Sequence, residues 1–298
     1  LVYLDMRKSK KYKRRLRKRK SIKRRYKQSG GGNISLPSRY DKNSILNKMK
    51  QYSVIFAGTV RDSEKFIKKN IENIDKCGGL FKSYSVVIYE NDSKDTTRQI
   101  LNTNKKDNYY YIFEDNIRET SRTKRLAHGR NKILDKIREL NKDNTYQYMI
   151  MLDLDNITES GKFVDTIYTC FLTDDWDVLT GNQSDRYYDM WALRKKGDME
   201  YDCMKEVYND MNKTGITYLD AYQKWAVAKM KNYPVGELLE VDSAFGGIAI
   251  YKLSSIPATC KYVGSYEDGG EICEHVPFNK CLKDNGAKIY INTSFLTN

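Results

Sequence analysis

From about Gln51 onward, short apolar runs alternate with segments whose apolar residues recur every three or four positions. That order predicts strands of a largely parallel sheet joined by crossover helices. Residues 52–57 read as the first strand, broken by Gly58, and Phe66, Ile67, Ile71 and Ile74 form the inward stripe of the next helix. Residues 85–89 are a second strand. It ends in Glu90-Asn91-Asp92-Ser93-Lys94-Asp95, small polar residues suited to cap a helix through Ile100 and Leu101. Residues 109–113 make a third strand. A helix over 130–140, with Ile133, Leu134, Ile137 and Leu140 on one face, leads into the apolar run 148–152. Beyond it, Ser160 can cap a helix that turns Phe163, Ile167 and Phe171 inward. Residues 176–180 and 244–251 read as strands, the second carrying the pair Gly246-Gly247. A helix over 276–283 and a strand over 288–291 complete the pattern, whereas 198–233 is polar and without a clear period. There is no internal repeat and no second core, so one α/β domain over 33–298 is expected.

Charge changes the picture at one end only. The chain has 298 residues and a net charge of +14, which taken alone suggests a nucleic-acid binder. Fifteen Lys or Arg fall between Arg7 and Lys27, and Asp5 is the only acid in the first 27 residues, so this segment carries the whole excess. The body is neutral. A self-repelling segment with nothing to bury is expected to be disordered, joined through Gly30-Gly31-Gly32, so that residues 1–32 form a tail and linker. Such a tail is a solvated arm, a contact for an anionic membrane or nucleic acid, or a nuclear-localisation-like address. No stretch approaches the roughly 18 apolar residues of a membrane span. Residues 1–6 are too short for a signal-peptide core, and a cytoplasmic location is the expectation; the opening Leu1 also fits a missing upstream segment. The six cysteines show no C-x-x-C pairing, and reduced, buried thiols are expected. Cys260, Cys273, His275 and Cys281 are zinc-type ligands without a recognised zinc spacing.

The candidate chemistry centres on Asp153-Leu154-Asp155, where the apolar run 148–152 stops in two carboxylates one residue apart. Side chains at i and i+2 of a strand point the same way, and two anionic oxygens suit a hard cation such as Mn²⁺ or Mg²⁺ and the phosphate it carries. Capping of the following helix is the alternative role for these acids. Two other strand ends carry polar residues. Arg61 follows the first strand and is either a nucleotide contact or part of a solvated loop. Glu90 and Asp92 follow the second, and either accept from a ribose or base or cap the next helix. Ligands of open α/β sheets gather at the carboxyl ends of strands. Trp191 and Trp225 are candidates to stack on an acceptor sugar, with burial in the core the commoner fate of a tryptophan.

The series Arg61, Glu90-Asn91-Asp92-Ser93-Lys94-Asp95, Gly129-Arg130-Asn131, Asp153-Leu154-Asp155 and Glu271-Ile272-Cys273-Glu274-His275 resembles, in order, the motifs of GT-A fold glycosyltransferases. The segments 122–131 and 188–194 look similar to the cryptococcal mannosyltransferase group. The resemblance spans about residues 52–292 and implies a Rossmann-like single domain with a mostly parallel central sheet. It implies transfer of a sugar from a UDP- or GDP-sugar to a glycan or protein hydroxyl with Mn²⁺ or Mg²⁺. Carried over, Asp155 would bind the metal, Asp153 the ribose or a metal-bound water, and His275 would be a further metal ligand. Arg130 and Asn131, opening a helix, would contact the donor diphosphate or nucleoside, the alternative being a helix start with an exposed Arg. The sequence departs from the common Glu-Asp form, since Glu274 is followed by His275. Glu274, Glu271, Asp268 and Asp242 therefore all stay candidates for a catalytic base, and inverting or retaining chemistry stays open. Two other readings compete: a nucleic-acid-binding protein acting through the basic arm, and a sugar-phosphate nucleotidyltransferase. The second needs a Gly-rich phosphate loop, and Gly58-Thr59-Val60-Arg61 is too poor in glycine for one.

Overall fold

The chain is described here from a computed structural model covering residues 32–298. The expected basic, disordered tail lies outside the described residues except for Gly32. The unit from Asn33 to Asn298 is built on one nine-stranded sheet, in the order β1-β7-β9-β6-β8-β5-β2-β3-β4. The strands are β1 (Ile34–Ser35), β2 (Ser53–Val60), β3 (Ser83–Asn91), β4 (Tyr109–Glu114), β5 (Tyr148–Leu152), β6 (Val178–Asn182), β7 (Glu237–Glu240), β8 (Ile248–Lys252) and β9 (Ile289–Leu296).

The expectation of a mostly parallel sheet needs correction. β5, β2, β3 and β4 pair in parallel, as do β6 and β9. β8, however, runs antiparallel between β5 and β6, and β7 runs antiparallel between β9 and β1, so the sheet is mixed. Apolar periodicity marks a buried strand but carries no information on its direction, and both antiparallel insertions come from the segment after residue 230.

Residues alternate along the central strands between two cores. Ile55, Ala57, Val87, Met149 and Met151 face one side; Val54, Phe56, Val86, Ile88 and Ile150 face the other. Strands buried on both faces explain the continuous apolar runs. Helix α1 (Lys42–Met49) precedes β2, and α2 (Ile67–Gly78) covers the second face through Ile67, Ile71, Ile74 and Cys77. The short α3 (Thr97–Thr103) follows β3. Helix α4 (Arg122–Leu140) covers the first face through Ile133, Leu134 and Ile137.

Two local expectations fail for reasons of packing. Helix α4 begins at Arg122, eight residues before the expected start, so Arg130 and Asn131 lie inside the helix and do not open it. Gly129 looks like a helix breaker, yet here it is an approach point: a Cβ at this position would come 2.5 Å from the Tyr89 ring of β3. The strand expected over 244–251 begins only at Ile248, because Gly246 (φ 66°) and Gly247 (φ 83°) take the left-handed conformation.

After β5 come α5 (Asn156–Glu159) and α6 (Lys162–Thr166), and the unassigned segment 198–233 forms a helical hairpin. In it, α7 (Cys203–Thr214) is capped by Asp202, which accepts from the N–H groups of Met204 and Lys205, and it stops at Gly215. Thr217 caps α8 (Tyr218–Trp225). Helix α9 (His275–Asp284) packs Phe278 and Leu282 into the first core. Its Cys281 is bonded to Cys260, so these two thiols are not reduced, and the four possible zinc ligands do not form a zinc site. Cys77, Cys170, Cys203 and Cys273 are free and buried, as expected.

Candidate functional site

The chain passes from β2 to β3 and β4 on one side and returns to β5 on the other. The carboxyl ends of β2 and β5 thus diverge at a switch of strand order, where open α/β sheets form their ligand crevice. Two cavities lie there, of about 420 and 450 Å³, and they share Arg122, Leu126, Asp153 and Asp155.

The smaller cavity is lined by the β2 end, with Arg61 and Ser63, by Asn91 of β3, and by Arg125 on α4. Its rim is held by reciprocal loop bonds. The Asp62 N–H donates to Ser93 Oγ (3.0 Å), and the Lys94 N–H donates to Asp62 Oδ1 (2.7 Å). Ser63 Oγ donates to the Leu154 carbonyl (2.6 Å), fixing the backbone between the two acids. Glu90, fully buried, accepts from the Ser93 N–H (2.9 Å) and pairs with Arg98 (2.5 Å), and it does not line the cavity. Asp92 accepts from the Asn116 and Ile117 N–H groups and anchors the segment after β4. Its carboxyl is held below the ordinary range by the Asn91 amide, with those backbone donors assisting against burial. Asn91 is the residue of this turn that faces the cavity.

At the junction, Asp155 caps α5 by accepting from the Ile157 N–H (2.9 Å), so its capping role and its place on the cavity wall coexist. Asp153 keeps 30% of its side chain exposed at the cavity wall. Loss of surrounding water pushes its carboxyl up to about 7; Arg130 opposes this, while Asp155 and Asp189 add repulsion. Crowded acids of this kind are an environment that a divalent cation would relieve. Among the described residues no three His, Cys, Asp or Glu side chains converge closely enough to hold a metal unaided. A hard cation that takes one or two carboxylates and fills its shell with water and substrate phosphate fits Asp153 and Asp155 on these terms.

The larger cavity is walled by α4, by Tyr188, Asp189 and Trp191, by the α7–α8 hairpin through Tyr218 and Tyr222, and by Phe245, Glu274 and His275. Arg130 is buried (3% exposed), 3.3 Å from Asp153 and paired with Glu274, and it lies over the Phe245 and Tyr262 rings at 5.3 and 5.8 Å. Asn131 exchanges two hydrogen bonds with the Tyr262 backbone, each 2.9 Å, and so clamps that loop without reaching either cavity. His275 stacks on Phe245 at 3.8 Å between ring centres; its Nε2 lies 3.8 Å from Glu274, and among the described residues neither ring nitrogen has a hydrogen-bond partner. Burial, reinforced by Arg130, keeps this imidazole neutral. It shares the cavity with the two aspartates without forming a tight ligand cluster with them.

The expected base candidates separate. Glu274 lines the cavity, bound to Arg130. Asp242 is exposed and pairs with Lys283 (2.7 Å), and neither it nor Glu271 nor Asp268 lines either cavity. Reading the sequence for roles passed over Asp189 and Arg122. Asp189 lines the larger cavity and accepts from the Gly246 N–H (2.9 Å), which ties it to the glycine pair. Burial raises its carboxyl above the ordinary range, with the Gly246 and Ala192 N–H groups resisting. The signal for it was the unusual Tyr188-Asp189-Met190-Trp191 run beside two glycines distant in sequence. Trp191 lines the cavity, whereas Trp225 does not and instead donates to Asp210 (2.8 Å).

No family model matches the chain, and no curated protein does. Among solved structures, it is similar to a mannosyltransferase from Pyrobaculum calidifontis in complex with GDP-Man and Mn²⁺. The identity is 11% with a TM-score of 0.44, covering 90% of this chain and 59% of that one. It is also similar to a mycobacterial protein at 11% identity and a TM-score of 0.48, covering 89% and 75%. Glucosyl-3-phosphoglycerate synthase from Mycobacterium tuberculosis, with Mn²⁺, UDP and phosphoglyceric acid, aligns at 9% identity and a TM-score of 0.42, covering 85% and 72%.

Proposed function

We propose that the protein is a metal-dependent glycosyltransferase of the GT-A type, moving a sugar from a UDP- or GDP-sugar to a hydroxyl acceptor. The observation that carries this reading is the meeting of two cavities at Asp153 and Asp155, at the carboxyl ends of parallel strands. The smaller cavity, with Arg61 and Asn91, suits the nucleoside. The larger suits the sugar and acceptor, because Tyr188, Trp191 and Tyr222 offer flat apolar faces beside carboxylates.

Asp153 and Asp155 would hold Mn²⁺ or Mg²⁺, which when bound supplies Lewis-acid neutralisation of the diphosphate. The chain's own residues do the rest. Arg130 and Glu274 neutralise each other, and Arg130 holds Asp153 in place through its second nitrogen. Asp189 is the carboxylate set to take the acceptor proton: its backbone bonds fix it, and it has no ion-pair partner among the described residues. The bond between the sugar's anomeric carbon and the diphosphate breaks. A bond from that carbon to the acceptor oxygen forms, and the acceptor proton passes to Asp189. His275, neutral and without a hydrogen bond among the described residues, faces the same cavity as a hydrogen-bonding group for a sugar hydroxyl or as a further ligand.

The test is a screen of UDP- and GDP-sugars for Mn²⁺-dependent turnover. Asp155→Ala is expected to lower it by roughly a hundredfold or more, since even outer residues of metal sites cost tenfold to a hundredfold. Turnover unchanged in that variant, or absent with every donor, sinks the reading. Asp189→Asn is expected to cut transfer by about a hundredfold or more while donor affinity is kept, the usual weight of a general base.

A further inference from the structure

We infer that Arg122 is the side chain that holds the diphosphate of the donor, at the junction of the two cavities. The inference rests on the glycosyl-transfer reading and assigns within it a role that the sequence motifs had given to Arg130 and Asn131. Both of those side chains already have partners: the Arg130 guanidinium, on the wall of the larger cavity, pairs with Asp153 and Glu274, and Asn131 bonds the Tyr262 backbone. The other arginines near the site line only the smaller cavity and already have neighbours. Arg61 lies 3.4 Å from Asp62, and Arg125 donates to the carbonyls of Glu119 (2.9 Å) and Thr120 (2.6 Å). Arg122 is different. It lines both cavities and the same wall as Asp153 and Asp155, and among the described residues no carboxylate stands within ion-pair distance of it.

Charge balance requires such a group. Beyond the Arg130–Glu274 and Arg61–Asp62 pairs, Asp153, Asp155 and Asp189 put three carboxylates on these cavities, against the two guanidinium charges of Arg122 and Arg125. A nucleoside diphosphate adds further negative charge, and one divalent cation cannot offset the whole. Arg122, the arginine common to both cavities, is therefore the residue placed to bind a phosphate, with the planar, two-pronged geometry that phosphate oxygens accept. At the junction it meets the part of the donor that spans both cavities, which is the diphosphate and not the base or the sugar.

The experiment is titration calorimetry on the full chain with UDP against UMP and GDP against GMP, each in Mn²⁺ and in EDTA. The wild-type protein is expected to prefer a diphosphate. Arg122→Ala is expected to weaken diphosphate binding by roughly tenfold to a hundredfold in both buffers, as loss of a charged hydrogen bond does. Monophosphate affinity and melting temperature should stay as they are, and Arg122→Lys should recover part of the loss. Equal diphosphate affinity in wild type and Arg122→Ala overturns the inference while leaving the glycosyl-transfer reading standing. A wild-type protein that binds no diphosphate in either buffer overturns that reading, and this one with it.

Discussion

Arg130, expected from its motif to contact the donor, lines the larger cavity and is paired there with carboxylates. Its charge is buried and matched to Glu274, which is 4% exposed on its side chain. Removing one member of such a pair strands the other charge without water. Glu274→Gln should therefore cost about 3–5 kcal/mol in urea unfolding, and a double change of Arg130 and Glu274 to apolar residues of similar size should cost less than the single one. A second cluster, which meets the smaller cavity only through Tyr89, gives a pH signature. Glu114 binds Lys132 (2.9 Å), His128 (2.5 Å) and Tyr89 (2.9 Å). Burial alone would raise its carboxyl, but these donors outweigh it and hold the group at about 2, below its ordinary 4.5. A depressed folded pKa stabilises above the ordinary value and is lost as pH falls toward the folded one. Glu114→Gln should lower the thermal midpoint at pH 7, and the gap from wild type should close between about pH 4.5 and pH 2. A gap that stays constant across that window would exclude the carboxylate as the source.

At the scale of elements, helix α4 links the core to the site. Its buried stripe, Ile133, Leu134 and Ile137, fixes the helix on the sheet, so that Arg122 and Arg130, two turns apart on its first half, reach the cavity wall. Gly129 lets the helix come down onto Tyr89 of β3, and a methyl group there would need that ring to move. Gly129→Ala should gain helix propensity yet lose about 1–3 kcal/mol overall through overpacking. Urea unfolding that shows a net stabilisation would mean the helix can lift without penalty. The loops after β2 and β3 behave as one cross-linked element, which is why Asp62, Ser93 and Asp95 serve the rim and leave Arg61 and Asn91 to face the cavity.

For the whole molecule, the neutral body and the charged tail are separable by composition. Deleting residues 1–32 removes every residue before β1 except Asn33 and all of the excess positive charge. Sugar transfer and melting temperature should survive that deletion, and any binding of nucleic acid or anionic vesicles should go with the tail. Loss of transfer on deletion would make the tail part of the catalytic unit.

The sequence by itself determined that strands and helices alternate and that two acids end a buried strand. Each is a local matter of apolar spacing and chain direction, visible within a window of ten or so residues. Asp153, Asp155, Arg61, Glu274 and His275 were legible as candidates for that reason, and the structure brings all five to the two cavities. Tertiary structure alone decided the direction of β7 and β8, the place of Gly129 inside a helix, and the bond between Cys260 and Cys281. It also decided which charges are already matched. Glu90 and Asp242 became ion-pair partners, Asp92 and Asn131 became loop anchors, and Asp189 and Arg122 were left uncommitted beside the two aspartates. The physical reason is that a side chain's availability depends on partners up to a hundred and more residues away, and no local pattern encodes whether a charge is spent.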